Sequence, residues 1–173
     1  MWLLLFRPSP VVLHGWRRTL LRLFGARIAK GARIYPTVKI YAPWNLEMGP
    51  VSCLAQGVDC YNVAPISLGP HALASQRAFL CTASHDIDDP VAMPLIGGPI
   101  ILDAYSWATS EVFIAPGVRL HEGAVALARS VVTKDVSAWT VVAGNPAKFV
   151  RLRNKNRTAR HVTPTPTDNA SLQ

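Results

Sequence analysis

Leu102-Asp-Ala-Tyr-Ser-Trp-Ala108-Thr-Ser-Glu-Val-Phe-Ile114-Ala-Pro-Gly-Val-Arg-Leu120-His-Glu-Gly-Ala-Val-Ala126-Leu-Ala-Arg-Ser-Val-Val132 repeats with a period of six. Leu102, Ala108, Ile114, Leu120, Ala126 and Val132 form an aliphatic series. Four places after each of the first five stands a small residue: Ser106, Val112, Val118, Ala124 and Ser130. A six-residue period fits neither a 3.6-residue helix nor an alternating strand. It fits a repeat architecture in which each hexapeptide forms one flat side of a coil. The aliphatic residue points into the shaft and the small residue fits beside the corner. Stacked coils then satisfy one another's backbone groups as parallel strands, so no repeat is stable alone.

The same paired series runs outward from this stretch. Upstream it comprises Leu68, Ala74 and Leu80, and before them Ile28, Ile34, Ile40 and Leu46. Ala32, Val38, Ala72, Ala78 and Ser84 hold the small positions, and Gly31, Gly49, Gly69, Gly117 and Gly123 supply corner room or left-handed backbone. The register slips between Leu46 and Leu68 and again between Leu80 and Leu102, so both intervals are expected to contain residues that leave the coil. The second contains a proline-rich, non-repeating run from Asp86 to Pro99, directly after His85. Long loops in compact domains are usually functional. The predicted fold is all-β: an N-terminal helical segment over 1–27, a parallel β-helix over 28–153 with loop 86–99, and a polar tail over 154–173 expected to be disordered.

In the first segment Val12, Leu13, Trp16, Leu20, Leu23 and Phe24 recur at three- and four-residue steps, with Arg17, Arg18 and Arg22 between them. This predicts an amphipathic helix ending near Gly25. It serves either as a cap on the domain behind it or as a peripheral anchor on an anionic membrane. With 173 residues, 50% of them hydrophobic and 16% charged, the chain suits one domain and is not disordered as a whole. The net charge of +8 gathers in two blocks, eight basic residues from Arg7 to Lys39 and nine from Arg119 to Arg160. Nucleic acid is not an expected partner, because the arginines are not interleaved with aromatics and no recognition motif occurs. Cys53, Cys60 and Cys81 form no C-x-x-C pair and read as small buried hydrophobes in a reducing compartment. The apolar start, Trp2 to Phe6, is too short for a signal or a span. The expected location is the cytoplasm, with the inner face of the membrane as the alternative.

Cys-Thr-Ala-Ser-His-Asp (81–86), Ala-Pro-Gly-Val (115–118), Val-Thr-Lys-Asp-Val (132–136) and Val-Ala-Gly-Asn-Pro-Ala-Lys (142–148), together with the repeats, resemble the hexapeptide-repeat acyltransferases. Val58-Asp-Cys-Tyr-Asn-Val-Ala-Pro and the histidine motif are similar to the colanic acid biosynthesis acetyltransferases, relatives of the galactoside, maltose and nodulation-factor O-acetyltransferases. The resemblance runs from Phe6 to Arg151. It implies a left-handed coil, although crossovers are otherwise almost always right-handed. It also implies a homotrimer with sites between subunits, acetyl-CoA as acyl donor, no metal, and a sugar hydroxyl of a glycan or exopolysaccharide precursor as acceptor.

A sugar hydroxyl attacks a thioester only as a base takes its proton, and imidazole suits that role. Of five histidines, only His85 follows a coil strand and opens the loop, and it matches the family's catalytic motif; Asp86 is a candidate to orient it. By alignment with the galactoside enzymes, a backbone N–H near Ser110 receives the oxyanion and Ala128 bonds the pantetheine arm through its backbone. The same alignment puts Thr133, Lys134, Lys148 and Arg151 near the nucleotide end of CoA, where the cations meet phosphates. Trp107 and Trp139 are expected to pack at that cleft. Asp59, Tyr61 and Asn62 form a polar cluster suited to sugar hydroxyls, or alternatively to satisfying a coil corner. Cys81 is a competing acyl-accepting nucleophile. Two other classes remain: a metal-dependent hydratase of the γ-carbonic anhydrase kind, whose His-x₄-His spacing fails because Gln76 and Pro90 occupy the required places, and a non-catalytic scaffold.

Overall fold

The structure, a computed structural model, describes residues 2–155. The tail from 156 onward, where disorder is expected, lies outside these residues. A wide turn (Trp2–Phe6) and helix α1 (His14–Leu23) precede a parallel β-solenoid of about six turns, consistent with the expected left-handed β-helix. The coil has three sides. Side A stacks Arg27–Ile28, Leu46–Met48, Ile66–Leu68, Ile100–Leu102 and Arg119–Leu120. Side B stacks Arg33–Ile34, Cys53–Leu54, Leu73–Ala74, Trp107–Ala108, Val125–Ala126 and Thr140–Ala143, with Lys148–Leu152 folded back antiparallel on the last. Side C stacks Lys39–Ile40, Asp59–Tyr61, Phe79–Cys81, Phe113–Ile114 and Val131–Val132.

One aliphatic column lines each side. Met48, Leu68, Leu102 and Leu120 fill side A; Ile34, Leu54, Ala74, Ala108 and Ala126 side B; Cys60, Leu80, Ile114 and Val132 side C; all are buried. Full burial of one large aliphatic side chain stabilises by roughly 1.5–3 kcal/mol. The small series holds the corners as expected, with Ala32, Ala72, Ala78, Ser106, Val112, Ala124 and Ser130 buried. Ser84 departs from it. It is exposed, on a strand that has already left the coil. Two corners show why glycine stands there. A Cβ on Gly69 would lie 2.7 Å from the Ala104 nitrogen of the next turn. Gly123 has φ 66°, and a Cβ there would meet the Trp139 ring.

The first expected excursion, between Leu46 and Leu68, does not leave the coil. Cys53–Leu54 and Asp59–Tyr61 are regular strands of sides B and C. The six-residue phase is instead shifted at the C/A edge, where each of the first two turns takes eight residues from Ile40 to Met48 and from Cys60 to Leu68. The turn Pro43–Asn45 absorbs the excess in the first. Only the second interval leaves the coil, and it does so as a β-hairpin, Ala83–His85 against Leu95–Gly97, so the departure begins before Asp86.

Helix α1 closes the open N-terminal end. The first turn has no preceding turn to accept from, and its downward carbonyls take donors from α1 instead. Arg17 Nε donates to Ile34 O at 2.6 Å, Arg18 to Ala32 O at 2.9 Å and Arg22 Nε to Ile28 O at 2.9 Å. Arg17 is wholly buried, and its guanidinium also bonds Ser9 Oγ and Pro10 O, both at 2.8 Å. Burial pushes its pKa down. The helix is therefore basic because a bare sheet edge needs donors, which is the capping role.

Candidate active site

His85 sits at the C/A edge on the outgoing arm of the hairpin, paired across it with Leu95. Its Nδ1 lies 2.5 Å from the Met93 carbonyl oxygen. A carbonyl only accepts, so Nδ1 carries the proton, and in the neutral ring Nε2 keeps its lone pair. Nε2 has no hydrogen-bond partner among the described residues, and the ring is exposed. Asp86 does not orient the imidazole. Its carboxylate accepts the Asp88 N–H at 3.0 Å in a local turn, and its own N–H bonds Pro94 O. The hairpin base is fixed by Gly97, where a Cβ would run into the Thr82 carbonyl, and by Gly98 packed on Gly117. Beyond the base the loop presents an apolar surface, with Ile87 87% and Val91 92% exposed and Met93, Leu95 and Ile96 half-exposed.

Ser110 and Ala128 lie on a different edge, B/C, in successive turns, with the Arg129 N–H donating to Ser110 O between them. Neither the Ser110 nor the Ala128 N–H meets an acceptor among the described residues. Beside them Glu111 bridges Arg77 and Arg129, with Arg129 Nε at 2.6 Å and Arg77 Nε at 2.9 Å. The bonds from Arg129 and Arg77 hold the Glu111 carboxyl below its ordinary value. This ladder stiffens the edge that carries the two bare amides. Nothing in the hexapeptide pattern marked it, because all three positions are simply outward-facing.

The four expected CoA-end residues divide. Thr133 and Lys134 are exposed on the C/A edge, two turns beyond the one from which the hairpin leaves. Lys148 is paired with Ala143 near the B/C edge, and Arg151 with Val141 on side B; both are exposed. Of the acceptor cluster, Asp59 faces out from side C and is held by Lys39 Nζ at 3.2 Å. Tyr61 lies at the C/A edge, edge-to-face on Tyr41 at 5.3 Å and one turn below Cys81. Asn62 is not a ligand group. It is fully buried, with Oδ1 accepting from Ala42 N at 3.0 Å and Nδ2 donating to Ala42 O at 2.6 Å, so it stitches the two widened corners together.

Trp139 lies at the A/B edge under Arg153 and Lys155, away from both groups, and Trp107 donates to Ser75 Oγ on side B at 2.7 Å. His71 stacks on Tyr105 at 5.0 Å, and His121 Nδ1 stands 3.7 Å from Asp103. His71 and His121 thus lie on the A/B edge two turns apart, away from His85 at the C/A edge, and among the described residues no group of three His, Cys, Asp or Glu is placed to hold a metal. Burial pushes up the Cys53 and Cys60 thiols. Cys81 Sγ is half-buried, 3.2 Å from Ala83 O.

A hexapeptide coil that extrudes a histidine on a β-hairpin is the architecture to compare with known proteins. No family model matches the chain. WcaF of Escherichia coli (strain K12), named for acetyl transfer in colanic acid biosynthesis, is 42% identical over 149 residues, spanning 86% of this chain and 81% of that one. A hexapeptide-repeat acetyltransferase of Vibrio cholerae, solved with acetyl-CoA, superposes with a TM-score of 0.78 at 29% identity, over 88% of this chain and 84% of its own. A maltose O-acetyltransferase of Clostridium difficile 630 gives 0.77 at 26%, over 87% and 82%. The chain belongs to the hexapeptide-repeat acetyltransferase family, and it is an acyltransferase enzyme.

Proposed function

We propose that the protein transfers the acetyl group of acetyl-CoA to a sugar hydroxyl of a glycan or exopolysaccharide precursor, with His85 as general base. The observation that carries this reading is the Nδ1–H bond to Met93 O, which leaves Nε2 as the free, basic nitrogen at an exposed edge. Nε2 takes the hydroxyl proton as the oxygen attacks the thioester carbonyl. The Ser110 N–H receives the resulting oxyanion. As the intermediate collapses, the C–S bond breaks and the imidazolium returns its proton to the departing thiolate, giving CoA and the acetyl ester. The Ala128 N–H bonds the pantetheine arm, while Thr133, Lys134, Lys148 and Arg151 meet the nucleotide end. Asp59 and Tyr61 contact the acceptor. Acetyl-CoA bound to the Vibrio cholerae relative supports the donor, and the maltose O-acetyltransferase supports the acceptor class.

The enzyme works as a homotrimer whose sites lie between columns. His85 and the Ser110–Ala128 pair stand on two edges of one prism, separated by side C, whose hexapeptide spans about 20 Å at ~3.3 Å per residue. A neighbouring column brings the C/A edge of one chain to the B/C edge of the next, and the exposed apolar hairpin is buried there. Incubation with labelled acetyl-CoA and a panel of nucleotide sugars and lipid-linked oligosaccharides tests the activity: label appears as a base-labile ester on one acceptor class. Label on none of them, or on amines alone, contradicts it.

A further inference from the structure

We infer that the N-terminal end of the coil docks on an anionic bilayer. The first 46 residues contain eight basic and no acidic residues; Glu47 is the first acid in the chain. Glu47 pairs Arg27 and Asp59 pairs Lys39, so among the described residues no carboxylate balances Arg7, Arg17, Arg18, Arg22, Lys30 or Arg33. The capping bonds of Arg17, Arg18 and Arg22 run to carbonyls and neutralise nothing. The same end carries apolar side chains that face solvent. Leu4, Val12 and Leu23 are 78%, 81% and 75% exposed. A groove of about 450 Å³ is lined by Leu4, Leu5, Pro8, Pro10, Leu13 and Trp16. The Trp16 indole donates to Leu5 O at 2.9 Å and closes one wall. Apolar side chains set among uncompensated cations match an anionic headgroup layer over acyl chains, with tryptophan at the boundary.

The geometry adds an orientation. His85 leaves the coil from the third turn, two strand spacings above the first, with α1 beneath. At ~4.8 Å per spacing and a helix diameter of ~10 Å, that turn stands about 20 Å above the membrane-facing surface. Given the proposed acetyl transfer, such a height selects acceptor sugars carried on a membrane lipid over free ones.

Vesicle flotation of the full chain, without acetyl-CoA, tests docking independently of catalysis. The protein floats with phosphatidylglycerol vesicles and not with phosphatidylcholine vesicles, and elevated salt releases it. Arg7→Ala with Lys30→Ala lowers partitioning about 30-fold, at roughly fivefold per cation. Leu4→Glu with Val12→Glu abolishes flotation while turnover of a soluble acceptor is unchanged, which also shows that the variant folds. Equal flotation with both lipids, no flotation, or flotation unaffected by either pair overturns the inference. So does loss of a higher oligomer in Leu4→Glu/Val12→Glu, because the patch would then be covered by a second copy. Flotation without acetyl transfer to any sugar would leave docking intact and sink the functional reading instead.

Discussion

The B/C and C/A edges of this coil are built from the same repeat and are chemically opposite. At B/C each turn from the third to the fifth takes a tight corner, with Arg77, Glu111 and Arg129 in left-handed backbone at φ of about 60°. The chain gains rigidity there and leaves two backbone N–H groups bare. At C/A the first two turns are widened and the third is thrown out as a sixteen-residue excess carrying His85. One edge offers fixed dipoles, the other a titratable side chain on an extended arm. A repeat coil thus acquires chemistry by varying one edge and keeping another invariant. Because the two edges belong to opposite ends of side C, the proposed chemistry would be completed between columns.

The comparison breaks most directly at the C/A edge. His85→Ala is expected to lower kcat by about 10²–10⁴ with CoA affinity retained, as measured by steady-state kinetics and calorimetry. Near-normal turnover would end the base assignment. Next in size, Gly97→Ala forces a Cβ against Thr82 O and displaces the hairpin base. Since misplacement by ~1 Å can cost ~10²-fold, we expect kcat to fall by about 10–10² with the melting temperature of the coil little changed. Cys81→Ser should by contrast stay within a few-fold of the native enzyme; inactivity with intact folding would favour the acyl-cysteine route.

At the other edge the expected effects are on binding. Lys148→Ala with Arg151→Ala should raise KM for acetyl-CoA about tenfold, flatten its salt dependence and spare kcat. Equal use of dephospho-CoA derivatives by both proteins would refute the phosphate contacts. The smallest effect concerns the ladder. The folded Glu111 carboxyl titrates below its ordinary value of 4.5, so it binds its proton less readily than in the unfolded chain. Its stabilisation is present above that value and is lost as pH falls through the depressed one. Thermal melts of the native protein and Glu111→Gln should therefore differ at neutral pH and begin to converge as the pH falls below about 4.5. A constant gap would show that the ladder is not what Glu111 contributes.

The sequence made the coil legible where the corners are invariant. From Leu102 to Val132 every aliphatic and small residue falls where the period puts it. It was misleading where corners widen, because a two-residue insertion shifts the phase without interrupting the strands. Leu54 and Cys60 belong to the coil, yet they fall out of step with Leu46. The proposed base was legible in the sequence because a side chain would perform its chemistry. Its orienting group was not, since the Met93 carbonyl is backbone and has no residue-type signature. Asn62 shows the converse limit: a buried amide that ties a corner and an exposed one that binds a sugar are the same letter.

The central claim is that the base and the Ser110–Ala128 contacts to the acyl donor come from different chains of a trimer, and subunit complementation tests it most directly. His85→Ala removes the base from one edge, and Ala128→Trp fills the exposed cofactor edge of the other. Each variant alone should assemble, give a light-scattering mass about three times the 18.8 kDa chain, and be inactive. Co-expressed in one cell, they should form mixed trimers with partial activity, because some interfaces then pair an intact His85 with an intact Ala128. Mixed trimers with no activity would place both groups on one chain, and a fully active monomer would contradict the shared site altogether.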